Sequence, residues 1–381
     1  MEIKQVYEIV NNATLETIGD SALLTEDLSN IVDVGSAVFN ASAFDAYVRS
    51  LVNHIGKVIF VNRPYRGSAP SVLMDAWEYG SVVEKIHSEM PQAVENESWE
   101  LTDGASYDPH VFHKPVAEAK FFNKMTTFEI EASITEMQVK QSFSSATQLN
   151  AFVSMLFNEI DKAMTVRTDA LIMRTIANMI AETKKDAAST SATTRAVNLL
   201  TEYNTQFSPN TITAADAIYT PAFIRFAAYK IALYTDRLTR MSTLFNVGGK
   251  QRFTPKDMQH IVMLSEFASA ADVYLQSDTF HDEYTRLVNA ERVPFWQGSG
   301  TSYAFSDTSK IDAIPSSGGD RQQVTGILGC IFDRDALGVM NNNQRVTTQY
   351  NPKAEFTNYF YKKDARYFND LNENFVFFYV A

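Results

Sequence analysis

The stretch from Arg63 to Pro115 constrains this chain more than any other part of it. "RPYRGSAPSV", "SEMPQAVENESWELTDGASYDPH" and "FHKP" are rich in Pro, Gly, Asn and acidic residues, which is the chemistry of turns rather than of a packed element. Strand patterns flank it. "KVIFV" comes before; "AEAKFFNKMTTFEIEASITEMQV" comes after, where Phe128, Ile130, Ala132 and Ile134 alternate with polar partners. Two strands joined by a long polar span predict an extended hairpin arm. Connections beyond ~15 residues are uncommon in compact domains unless they serve a function or are disordered. Ordering about 30 such residues costs roughly 30–60 kcal/mol of backbone entropy. Offsetting that at ~25 cal/mol per Å² takes about 1,200–2,400 Å² of apolar burial, and the arm has too few hydrophobes to form a private core. Its aromatics must find surface elsewhere. Arg63, Arg66, Trp77, Tyr79, Trp99 and Tyr107 are therefore the candidate contacts with a neighbouring copy, because aromatics and Arg are the usual interface anchors. The competing reading is a disordered loop whose aromatics fold back on their own domain.

The rest of the chain has stronger periodicity. "SAVFNASAFDAYVRSLVNHIG" sets Val38, Phe44, Tyr47, Val48, Leu51 and Ile55 near one helical face, with Ser36 as N-cap and Gly56 as the stop. After the arm, "SSATQ" reads as a capping region. Leu149, Phe152, Val153, Leu156, Phe157, Ile160, Ala163 and Met164 then recur at spacings of three and four, and the stripe continues through Leu171, Ile172, Ile176 and Ile180. This predicts a helix of roughly 35 residues, ~50 Å long. Lys184 and Lys185 complement the dipole at its end, and "DAASTSATT" reads as a linker.

Strand and helix patterns then mix. Thr220 and Pro221 open a helix bearing Phe223, Phe226, Ile231, Tyr234 and Leu238. "QHIVMLSEF" reads as a buried strand, "SAADVYLQSDTF" as the helix after it, and "VTGILGCIF" as another buried strand. That alternation implies a compact α+β domain. At the close, Gln349–Phe360 and Arg366–Val380 predict an antiparallel pair with Pro352 at its turn. One face would cover the long helix at Phe152, Phe157 and Met164, and the other would meet a neighbour. Left exposed, strands this aromatic invite aggregation.

Composition narrows the function classes. A length of 381 residues allows roughly two or three domains at ~150 residues each, and 45% hydrophobic with 20% charged residues is ordinary globular composition. The formal charge of −12 and the scattered basic residues argue against gripping nucleic acid through its phosphates. Cys330 is the only cysteine, so no intrachain disulfide is possible; within "TGILGCIF" it reads as a small buried hydrophobe. No stretch approaches the ~20 apolar residues of a membrane span, and "MEIKQVYEIV" lacks the core of a signal peptide. An intracellular, soluble chain is expected.

No motif carries catalysis. His110 and His113 in "HVFH" have metal-ligand spacing but no further ligands close in sequence, so a surface or interface role is expected. His281, Asp282 and Glu283 are consecutive and would face apart on a helix. Gly248, Gly249 and Lys250 lack the first glycine and the Ser or Thr of a phosphate-cradling loop, which leaves a turn. Asp333 and Asp335 are expected to end a strand and cap a following helix. The expectation is a structural, non-enzymatic chain with no catalytic, cofactor or metal site.

The order of these parts resembles the tailed-bacteriophage major capsid proteins of the Hong Kong 97-type fold, in their short-tailed phage branch. "FVNRPYRGSAPSVLMDAWEYGSVVEKIH" followed by "DPHVFHKP" is similar to that family's extended loop. "TPKDMQHIVMLSEFASAADVYLQSDTFH" is similar to the strand and helix of its axial domain. "GILGCIFDRDALGVMNNNQRVTTQYNPKAEFTNYFYKKDARYFNDLNENFVFFYVA" is similar to its carboxyl-terminal pattern, in which "DRD" precedes an Asn-Pro turn and paired aromatic strands.

The resemblance covers most of the chain and implies an α+β fold in five parts. These are an N-terminal helical arm (1–56), an extended hairpin loop (57–120), a peripheral domain with a long spine helix (121–190), a mixed axial domain (191–340) and C-terminal strands returning to the peripheral domain (341–381). It implies a major capsid protein that self-assembles, as hexamers and pentamers, into an icosahedral head enclosing double-stranded DNA without sequence-specific binding. Its partners would be other copies, a portal protein and a separate scaffolding protein, with no membrane and no cofactor. It would assemble in the host bacterial cytoplasm and reside in the virion capsid. The chain's start and its end at Ala381 are read as leaving no room for a fused scaffold or an appended surface domain. Lys85 lies where some relatives cross-link, without a recognisable partner environment, so that chemistry is not expected. An encapsulin-type shell protein of the same fold is the alternative.

Overall fold

A computed structural model describes residues 3–19, 23–25, 29–40, 46–47, 50–51, 70–74, 83–91, 93, 95–96, 98–110, 112–135, 137–138, 146–276, 288–297, 304–315 and 317–381. Helices α1 (Ile3–Thr17) and α2 (Ile31–Asn40) come first. The short strand β1 (Leu73–Met74) is followed by β2 (Val83–Ser88), β3 (Ala117–Phe122) and β4 (Met125–Thr135). Helix α3 (Ala146–Thr190) leads to β5 (Ala196–Asn198), α4 (Leu199–Gln206) and α5 (Pro221–Arg237). Then come β6 (Gln259–Leu264), α6 (Ser265–Gln276), β7 (Glu291–Val293), the single turn α7 (Phe305–Thr308), β8 (Ile311–Ala313) and β9 (Gln322–Val324). Strands β10 (Ile327–Asp333), β11 (Leu337–Asn351), β12 (Phe356–Asn369) and β13 (Phe375–Tyr379) close the chain.

At 45 residues, α3 is about 68 Å long at 1.5 Å per residue, and it outruns the predicted helix. Its buried polar residues explain how a stripe with so many threonines can pack. The hydroxyls of Thr168, Thr175 and Thr183 donate to the carbonyls of Met164, Leu171 and Met179, one turn back, so these three side chains are satisfied inside the core. The same device recurs where the helix continues into the segment read as a linker: Ser189 and Thr190 both donate to the Asp186 carbonyl. Lys184 and Lys185 consequently lie inside the helix, whose last turn has no basic residue. Instead of complementing the dipole, Lys184 donates to the Tyr379 hydroxyl at 2.9 Å and Lys185 to the Gly318 carbonyl at 2.7 Å.

Two main sheets hold nine of the thirteen described strands, and β2-β3 and β8-β9 pair off as two-stranded ribbons. The larger is ordered β5-β13-β10-β6-β7, antiparallel at its centre and parallel at both edges. Every residue of β10 and β13 is buried, as an all-apolar strand covered on both faces must be. Ile172, Ile176 and Ile180 of α3, Phe223 of α5 and Phe267 of α6 join Phe332 and Phe377 in one core. The "VTGILGCIF" run is not one strand: Gly326, at φ 70, separates β9 from β10. Cys330 is buried, which pushes its thiol up.

The second sheet runs β1-β11-β12-β4. Residues 352–355 turn β11 into β12, so Pro352 sits at the turn as predicted, with Thr348 opposite Tyr359. The predicted pairing of Gln349–Phe360 with Arg366–Val380 is corrected. Residues 366–369 belong to β12 itself, which pairs on its far side with β4. Residues 375–379 leave for the other sheet, where Phe377 lies opposite Cys330. The patterns explain the division: the alternation of 356–369 suits a sheet with unlike faces, and "FVFFY" suits a strand with none exposed.

Other expectations also shift. Helix α2 begins at Ile31, so Ser36 lies in its interior rather than at its cap. Val38, Tyr47 and Leu51 are buried, while Phe44, Val48, Ile55, Gly56 and "KVIFV" fall outside the described residues. Met164 is buried; the side chains of Phe152 and Phe157 are not among the described ones. Asp333 and Asp335 cap no helix. They make the turn from β10 to β11, where Asp333 accepts the Asp335 N–H at 2.9 Å and the Thr254 hydroxyl at 2.8 Å. Among the described residues no helix is long and apolar enough to cross a membrane.

Candidate subunit interface

The arm is a two-stranded antiparallel ribbon. β2 pairs with β3 from Val83 opposite Phe122 to Ser88 opposite Ala117, and the Glu89 N–H adds a bond to the Val116 carbonyl. Beyond it, hydrogen bonds among the described residues are local: Ser98 N–H to Asn96, Thr102 N–H to the Tyr107 hydroxyl, His110 N–H to Asp108. These small turns shape the tip without burying it. Trp99 is 95% exposed, Phe112 83%, Leu101 65% and Tyr107 51%. A folded monomer rarely offers so many large apolar groups to water on one segment.

Of the residues predicted to make contacts, Trp99 and Tyr107 lie on this exposed tip. Arg63, Arg66, Trp77 and Tyr79 fall outside the described residues, as do His281, Asp282 and Glu283. His110 and His113 are exposed on the same tip. Gly248 and Gly249 form a turn as predicted, with Gly249 at φ 62. Its neighbour Lys250 has a role that sequence did not indicate.

That role is at the arm's root. Lys250 Nζ lies 2.8 Å from Glu89 and 2.8 Å from Glu118. Along the same face of the ribbon Asp370, whose side chain is fully buried, receives Lys120 at 2.9 Å and Lys85 at 3.5 Å. His87 Nε2 is 3.8 Å from Asp370 and 3.5 Å from Glu373, and Arg252 is 3.6 Å from Glu373. Phe122 packs on the Phe368 ring at 5.2 Å, with the Lys85 ammonium also over it. The arm's entry is fastened too: the Ser71 N–H donates to Glu291 at 2.8 Å, and His260 meets that carboxylate at 2.9 Å.

Charge balance follows from burial. Burial raises Asp370, but the bond from Lys120, the Asn372 N–H and the charges of Lys120 and Lys85 outweigh it and hold the carboxyl below its usual range. Glu373 goes the other way, pushed up by burial and by Asp370 and Asp333 against the pull of Lys85 and Arg252. His87 is lowered by burial and by Arg252 and Lys85, with Asp370 opposing. His87, Asp370 and Glu373 are the one group among the described residues close enough to hold a metal ion. Lys85, Lys120 and Arg252 already neutralise its two carboxylates, so its chemistry is that of an ion-pair cluster. Sequence reading missed it because strand residues 85–87 meet partners near the other end of the chain, and no local spacing signals that.

The fold can now be compared with known ones. It is similar to a chain in the capsid structure of Staphylococcus phage Andhra, with a TM-score of 0.50 and 11% identity over 84% of this chain and 86% of that one. A chain in the capsid structure of the cyanophage P-SCSP1u matches with a TM-score of 0.46 and 10% identity, over 84% and 92%. A chain from Microbacterium phage Oxtober96 gives 0.41 and 9%, over 84% and 93%. No curated protein matches the chain in sequence. The architecture is that of the Hong Kong 97-type capsid proteins. A model of the Phi29-like phage major capsid protein family matches residues 6–379, and the chain belongs to that family of shell-building subunits.

Proposed function

We propose that the subunit closes an icosahedral head around double-stranded DNA, and that each arm comes to rest on a neighbouring copy. The observation that carries this is the tip: Trp99, Leu101 and Phe112 stand in water on a segment with no core of its own. Many modest heterologous contacts of this kind can close under symmetry. The parts are read as an N-terminal arm (1–56), an extended loop (57–120), a peripheral unit on the spine helix (121–190), an axial unit (191–340) and returning strands (341–381). Within the last of these ranges, β13 hydrogen-bonds to β10 and β5, strands of the axial range. Portal and separate scaffolding proteins are the expected partners, in the host bacterial cytoplasm. A wall with a formal charge of −12 per subunit would repel phosphate and let packed DNA slide. The encapsulin alternative gains nothing from the family match.

The test is electron microscopy of the expressed protein, with and without a co-expressed scaffold, for wild type and Trp99→Ala. The variant is expected to fold within ~0.5 kcal/mol of wild type, as surface changes do, and to form few or defective shells. Normal shells from Trp99→Ala, or an unfolded subunit, would refute the placement of the arm on a neighbour.

A further inference from the structure

In the ribbon of the arm, Lys85 lies directly opposite Lys120. Like charges facing each other across a strand pair destabilise it, and a lone two-stranded ribbon is marginal in water to begin with. The body of the subunit resolves the conflict by sending in an anion. Asp370, fully buried and preceding β13, lies 3.5 Å from Lys85 and 2.9 Å from Lys120, and Lys85 also donates to the Asp335 carbonyl. Further along the same face of the ribbon the polarity is reversed. The body supplies the cation Lys250, and the arm supplies Glu89 and Glu118, each 2.8 Å away.

We propose that the root of the arm is an ionic latch of crossed polarity, Asp370 gripping Lys85 and Lys120 and Lys250 gripping Glu89 and Glu118, which fixes the arm's direction on its own subunit. The crossed signs give the latch a register: sliding the ribbon until the two grips exchanged partners would set lysine against lysine and carboxylate against carboxylate. The two grips differ in strength. Asp370 is buried while its partner Lys120 stays partly exposed, so salt weakens that grip less than the one between Lys250 and the half-exposed carboxylates of Glu89 and Glu118. The arm is thus aimed before it touches another copy, and only its tip is left to find a partner. This goes beyond the shell reading and stands without it.

The test is hydrogen–deuterium exchange, read by mass spectrometry on the unassembled full-length subunit. In Asp370→Asn, exchange in peptides spanning 83–88 and 117–122 should rise about tenfold, with peptides of β10 and the second half of α3 unchanged. Asp370 also accepts the Asn372 N–H, so Lys250→Met provides a variant that leaves that turn intact. It should raise the same peptides about twofold to threefold, and 1 M NaCl, with a screening length of ~3 Å, should reproduce its effect in wild type. Adding Lys120→Met to Asp370→Asn should restore part of the protection, because the facing like charges are gone. Unchanged arm peptides in Asp370→Asn and Lys250→Met would overturn the latch. So would a rise spread evenly over the chain, which would make these pairs general stabilisers. Shell assembly is not part of the readout, so the latch and the shell reading fail separately.

Discussion

Gly326 turns the chain at φ 70 between β9 and β10, and a β-carbon there would sit 2.0 Å from the Val380 carbonyl oxygen. Backbone cannot step aside as a side-chain tip can. Gly326→Ala should therefore cost about 2–4 kcal/mol of subunit stability through strain and clash together; a denaturant midpoint indistinguishable from wild type would disprove that. His87 bears on the response to acid. Its folded-state pKa is held below the ordinary value, so its contribution to stability is complete above the unfolded pKa of about 6.5 and fades as pH falls through the folded value. Asp370, also lowered, behaves the same way in the carboxylate range. Glu373, raised by burial, partly opposes them, because its charge is costly at neutral pH and is relieved in acid. Loosening of the arm between pH 7 and 5 should thus be smaller in His87→Gln than in wild type. Arm-peptide exchange at the two pH values measures the difference, and equal responses would remove His87 from the account.

At the scale of elements, much was legible and the misses share a cause. The apolar stripe of α3 and the alternation of β4 are local signals, and both elements are present, although α3 runs past its expected end and the strand character of 117–139 divides into β3 and β4 in different sheets. The end of α3 was misread because Ser189 and Thr190 look like linker residues. Their hydroxyls return to the Asp186 carbonyl and so find partners within the helix. Ala188, exposed within that turn, tests the point without disturbing the core. Ala188→Pro should cost about 3 kcal/mol if the backbone there is helical, read as a thermal or denaturant shift; a neutral substitution would restore the linker. The exposed tip of the arm was legible for the converse reason: a segment without hydrophobic periodicity announces that it lacks a core. Its root was not, because Lys85 and Asp370 come together only through the tertiary fold.

For the whole molecule, the exposed tip of the arm sets how the free subunit meets a protease. Residues 89–116 should be the first cut by protease in the free subunit, as exposed loops without buried backbone are, and should be spared in assembled shells. Mass spectrometry of the fragments checks both halves, and equal cutting in shells would count against arm burial between copies. The placement of β13 has a different consequence. Its residues 375–379 form an inner strand, with β10 on one side and β5 on the other, yet they follow both partners in the chain by a wide margin. A polypeptide broken off ahead of Phe375 would leave a gap beside the edge of that sheet, β5 without a partner and β10 with a bare flank. Prematurely terminated products would thereby disqualify themselves from the lattice, a form of proofreading carried by strand order alone.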